Sequence, residues 1–123
     1  MKNNVLSQIG RILFGVPFLI FGINHFVQGS KMAGYVPSFL PWHTFFIYLV
    51  GLALILAAIS LFINVKVKLS MILLAILMLI FVLTIHLPGM IRGGQMEQYS
   101  MIMLLKDFGL GAAALFIAGN AKS

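Results

Sequence analysis

The sequence has no cysteine, only two acidic residues, Glu97 and Asp107, and a single tryptophan, Trp42. Without thiols, this chain offers no disulfide exchange, no thiolate metal site and no iron–sulfur ligation, whatever the redox compartment. Nor does it contain a paired nucleophile and base, a phosphate-cradling glycine loop or a pair of catalytic carboxylates, so the common hydrolase designs are excluded. Charge of either sign is scarce: 8% of residues are charged, against about 25% in an ordinary soluble domain. The formal charge of +6 comes from eight cations scattered singly between apolar runs. They form no basic stripe, which excludes nucleic acid as a partner.

What is abundant is hydrophobic length. Hydrophobic residues make up 62% of the chain, and the mean hydropathy is +1.12. The run LSMILLAILMLIFVLTIHL, residues 69–87, contains no Asp, Glu, Lys or Arg. At about 1.5 Å rise per residue it crosses a bilayer core of roughly 30 Å as a helix. The pattern predicts an all-α integral membrane four-helix bundle, one domain over residues 1–123, with spans at 5–26, 44–63, 67–87 and 100–119. The first reads as a retained signal anchor kinked at Pro17. The third is expected to stop at Pro88-Gly89.

Lys2, Lys66, Lys68 and Lys122 flank one end of these spans, and Lys31 and Arg92 the other. The positive-inside tendency then puts both termini in the cytoplasm of a multi-pass cell-membrane protein, with Arg11 snorkelling toward the same surface. Between the first two spans, Gly29, Gly34, Pro37 and Pro41 break the helix, while Tyr35, Val36, Phe39, Leu40 and Trp42 give an aromatic face. That face suits a headgroup-level anchor or a lid, with Tyr35 and Trp42 as its candidate residues.

The same topology collects Asn24, His25, His43, Thr84, His86, Lys106 and Asp107 in one half of the bundle. Ionisable groups inside a span cost about 2.5–3.5 kcal/mol each near the centre, so they face the interior or water. Adjacent helix positions point about 100° apart. Lys106 and Asp107 are therefore expected to reach different partners: Asp107 accepts from His25 or His86, and Lys106 points to the headgroups. A helix-locking network without chemistry explains the same residues.

In the first span, Arg11, Gly15, Phe18, Gly22 and His25 form one stripe, which suits either close helix packing or a flat quinone-like headgroup ending at His25. Two histidines at one depth are also a familiar metal or haem pair, but no carboxylate–histidine spacing of the di-iron type accompanies them, and no metal site is assigned.

Arg11 with Gly15, Gly22-Ile23-Asn24-His25-Phe26, Met32-Ala33-Gly34-Tyr35-Val36-Pro37, Gly51, and Lys106-Asp107 followed by Gly109 and Gly111-Ala112-Ala113 resemble the DoxX-like membrane proteins across nearly the whole chain. That family takes its name from the membrane subunit of a thiosulfate:quinone oxidoreductase. The resemblance implies a small membrane subunit of an oxidoreductase system, a quinone as its ligand, and other membrane or redox subunits, or further copies of the chain, as partners in the lipid bilayer. Where many relatives carry an acid after the glycine of the second span, this chain has Leu52-Ala53-Leu54-Ile55, so a site built on that acid is not carried over. The candidate polar or quinone site is Asn24, His25, His86, Lys106 and Asp107, with no catalytic residue assigned. The alternative is a non-catalytic accessory subunit that stabilises a larger membrane complex. A small-solute channel or transporter is disfavoured, since the four spans show no broken-helix repeats.

Overall fold

The computed structural model describes residues 4–32, 34, 36, 38 and 41–122, and among these it contains helices and turns but no strand. Helix α1 (Val5–Val27) opens on Asn4, whose side chain accepts the Ser7 N–H at 2.7 Å and so satisfies one of the donors that a helix start leaves unpaired. It runs through Pro17 without a break. A one-turn helix, α2 (Gly29–Met32), follows, and then α3 (His43–Ile63). Asn64 ends α3 in the left-handed conformation, a role asparagine tolerates well, and returns its N–H to the Ser60 carbonyl. The tight turn at 64–66 leads into α4 (Val67–Phe81).

The third span does not stop at Pro88-Gly89. Instead α4 widens into a π turn at Val82–His86, continues as α5 (Leu87–Arg92), and only then breaks at Gly93, where φ is +70°. Pro88 lacks the N–H that would bond the Thr84 carbonyl, and its ring would crowd that carbonyl in a regular helix. The wide turn just before it takes up that misfit: the Leu87 N–H reaches back five residues to Val82, and Thr84 Oγ1 donates to Ile80. The last span also begins earlier than the sequence pattern suggests, as a 3₁₀ turn at Gly94–Met96 that leads into α6 (Glu97–Asn120).

Four helical segments, Val5–Val27, His43–Ile63, Val67–Arg92 and Gly94–Asn120, are long and apolar enough to cross a membrane. Helix α1 packs on α3, α3 on α4, and α4 on α6, with the π turn and α5 also against α6. The core between them is built from Phe18, Leu54, Leu61, Met71, Leu74, Met78 and Ala114. Only 17–33% of each span's most apolar window is buried, so most of the apolar surface is left for lipid or for a partner.

Helices α1 and α3 cross closely at a pair of glycines. A Cβ on Gly22 would stand 2.8 Å from the Gly51 carbonyl oxygen, and one on Gly51 would stand 3.0 Å from the Gly22 carbonyl oxygen. The two backbones touch there, as small-residue interfaces in membranes allow. The Gly22–Gly51, Arg11–Leu61 and His86–Asp107 contacts make neighbouring spans antiparallel. One end of the bundle thus holds the start of α1, the 64–66 turn and the close of α6. The opposite end holds the α1–α3 connection and Gly93. We refer to these as the terminal end and the loop end.

Candidate functional site

The loop end brings three of the candidate residues together. Along α6, Ser100, Asp107, Gly111, Ala114 and Ala118 recur at helical spacing and are buried against the third span. That stripe carries Asp107 inward, where the residue is 5% exposed. The π turn presents His86 opposite it, and the two side chains meet with Nε2 2.8 Å from Oδ2. On the other carboxylate oxygen sits Lys106, with Nζ 3.3 Å from Oδ1. A carboxylate flanked by an ammonium acts as an acceptor, so His86 Nε2–H is the donor. This leaves Nδ1 of a neutral imidazole as the basic face of the ring. Among the described residues no buried side-chain nitrogen or oxygen lacks a partner.

Lys106 corrects the expectation drawn from the 100° offset. Its flexible stem bends back to Asp107 instead of running to the headgroups, and its ammonium also lies over the Phe21 ring, 5.0 Å from the centroid. Phe21 went unnoticed in the sequence, although it stands one turn before His25. It links Lys106 on α6 to α1.

His25 does not join the cluster. Its Nδ1 lies 2.6 Å from the Phe21 carbonyl oxygen, which can only accept, so Nδ1 carries the proton. Its Cβ packs against Gly51. Asn24 is exposed. His43 opens α3 half-buried, and Thr84 is exposed and bonded to its own helix. Of the two candidate lid residues, Trp42 is 76% exposed and Tyr35 lies outside the described residues.

The stripe on α1 is covered by α3. Gly15 packs against Phe62, Gly22 against Ile55 and Gly51, and Arg11 Nη1 donates to the Leu61 carbonyl and, at 3.5 Å, to that of Phe62. Helix packing is thus the use of those glycines. Arg11 does not snorkel outward. It satisfies carbonyls that the last turn of α3 leaves without helical partners. A second close approach sits beside the site, where a Cβ on Gly89 would come within 2.5 Å of Ser100 Oγ. Ser100 lies seven residues before Asp107 on the same face, a spacing that the sequence already displays.

Among the described residues, no group of three or more His, Cys, Asp or Glu side chains comes together that could hold a metal ion. Comparison with known families matches residues 6–87 to DoxX, two-thirds of the chain. The chain belongs to the DoxX family. The match takes in α1, α3, α4 and the π turn with His86, and ends before Lys106 and Asp107. No curated protein and no solved structure matches the chain.

Proposed function

We propose that this DoxX-family chain is a small membrane component of an oxidoreductase system, in which His86, oriented by Asp107, exchanges a proton with a quinone-type ligand at the loop end. The observation that carries this reading is the 2.8 Å bond from a π-turn histidine to a buried carboxylate. A carboxylate that holds one imidazole nitrogen fixes the ring and leaves the other nitrogen to take or give a proton, the arrangement general bases use. π turns within α-helices recur at functional positions. The donor set suits a quinone: Nδ1 of His86 accepts, the Lys106 ammonium donates, and the Phe21 ring supplies an apolar wall. A bound quinone would supply the two-electron chemistry, its electrons coming from a partner redox subunit, while this chain orients the ligand and holds the proton at His86.

The test is to purify the chain from its native membranes with the subunits that accompany it and to assay reduction of a short-chain benzoquinone. His86→Gln keeps a side chain that can bond Asp107 but removes the base. Assembly is expected to persist while turnover falls by about 10²- to 10⁴-fold, the usual weight of a positioned base. Normal turnover in that variant would sink the reading in favour of a non-catalytic accessory subunit. The accessory reading draws on the same cluster, whose described buried polar atoms are all satisfied, as a helix-locking network also requires.

We further infer that both termini and the 64–66 turn face the cytoplasm, because Lys66, Lys68 and Lys122 lie at the terminal end. Single cysteines in a chain that has none make this testable. An impermeant thiol reagent added to intact cells is expected to label a cysteine at Gly94 and spare one at Asn64, and the reverse pattern would invert the topology.

A further inference from the structure

The guanidinium of Arg11 carries five N–H donors in a planar fork, and among the described residues only its Nη1 is engaged, on the carbonyls that close α3. Beside it, between α1 and α6, lies a cleft of about 440 Å³. The two helices that wall it do not form one of the packed pairs of the bundle, so the seam between them is open along this half.

The lining is graded along the membrane axis. Ser7 in the first turns of α1, Asn120 at the close of α6, and Arg11 supply its polar groups, whereas Phe14, Phe116 and Ile117 wall the part nearer the bilayer centre. Ser7 and Phe14 lie about 10 Å apart along the helix axis, the scale over which a headgroup gives way to acyl chain. The surrounding charge is one-sided. Both acids, Glu97 and Asp107, lie in the loop-end half, while Lys66, Lys68 and Lys122 flank the terminal end.

We propose that this cleft binds one anionic phospholipid, its phosphate on the free edge of Arg11 between Ser7 and Asn120 and its acyl chains along Phe14 and Phe116. A guanidinium fork matches a phosphate bidentately, and the uniform positive charge of this end attracts a net-negative lipid. A neutral quinone head has no use for that charge. A zwitterionic lipid would bring its own ammonium into a field of lysines. The site lies at the opposite end of the bundle from His86 and stands or falls independently of the proton-exchange reading.

Native mass spectrometry of the detergent-purified chain, offered equal amounts of phosphatidylglycerol and phosphatidylcholine with the same acyl chains, tests this directly. Wild type is expected to retain phosphatidylglycerol by about tenfold over phosphatidylcholine, the scale of one charge-assisted contact. Gly10 lines the cleft, and a Cβ built there meets nothing within 4 Å, so Gly10→Phe is expected to place its ring in the open space of the cleft. That variant is expected to lose the preference while keeping the wild-type melting temperature, and Asn120→Leu to weaken it. Equal retention of the two lipids by wild type, or an undiminished preference in a folded Gly10→Phe, would overturn the proposal. So would displacement of the lipid by inorganic phosphate alone, which would reassign the cleft to a free anion.

Discussion

The two ends of the bundle handle charge in opposite ways. At the loop end, charged side chains answer one another: Asp107 holds His86 on one oxygen and Lys106 on the other, and the group joins the π turn to α6 with Phe21 of α1 beneath the ammonium. At the terminal end, Arg11, a cation set within the first span, answers backbone, reaching carbonyls that the end of α3 leaves unpaired. A pair of side chains is a mutual dependence, in which deleting one strands the other in low dielectric. A helix-end contact is one-sided, since carbonyls near the bilayer surface can turn to water once the donor is gone. The loop end should therefore be brittle and the terminal end forgiving.

The largest effect should come from Asp107→Ala. It removes the only acid of the cluster and leaves a largely buried His86 and a partly exposed Lys106 without their partner. Breaking such a pair costs about 3–5 kcal/mol in a dry interior. Polar contacts in membranes often weigh less, because stranded groups find other partners there, so the expected loss is about 3 kcal/mol. Thermal unfolding in mild detergent and in lipid nanodiscs measures it. A melting temperature equal to wild type in both would erase the contrast between the ends.

Much of this contrast was legible in the sequence, and the part that was not has physical causes. Uninterrupted apolar runs give the spans, and an ionisable residue within a span must face inward, which picks out Asp107 and His86. Helical spacing, however, reports where a Cα–Cβ bond points and not how far a side chain can bend. The 100° offset sent Lys106 away from Asp107, but a four-carbon stem brings its ammonium back. Pro88-Gly89 reads as a stop because such signals describe regular helices. A π turn absorbs the proline and carries the helix to Arg92. Arg11 read as a snorkelling residue because only tertiary packing reveals the α3 carbonyls beside it. The glycines of α1 admit both helix and ligand, and the chain that fills the space, α3, decides the matter.

The terminal end offers the second test. Arg11→Met keeps most of the side-chain volume and removes the donor from the Leu61 and Phe62 carbonyls. Hydrogen bonds from a charged group contribute about 1.5–3 kcal/mol, and partial rescue of the carbonyls by water places the expected cost near the lower figure. Arg11→Lys, which still donates but as a point charge, is expected to fall between wild type and Arg11→Met. The same detergent melts report both. If Arg11→Met destabilises more than Asp107→Ala, the ranking of the two ends is reversed, and the closing turn of α3 must be held chiefly by Arg11.

The smallest effect sharpens the comparison inside the loop end itself. Lys106 and His86 both contact Asp107, but they differ in what their loss leaves behind. Without His86, the carboxylate keeps only an ammonium whose side chain is 38% exposed; without Lys106, it keeps the shorter bond to a side chain that is 15% exposed. Partly exposed ion pairs are worth about 0.2–1 kcal/mol, and an ammonium over an aromatic ring at an exposed site about 0.5–1 kcal/mol. Lys106→Met keeps an apolar stem against Phe21 and gives up both charge contacts, so its expected cost is at most about 1 kcal/mol, below that of Arg11→Met. A double-mutant cycle with Asp107→Asn isolates the pair, and a coupling within about 1 kcal/mol is expected. A coupling as large as the full effect of Asp107→Ala would mean that Lys106 holds the acid in place and that the His86 bond follows from it. His86 would then be a passenger in the network, and its claim to orient and exchange a proton would weaken with it.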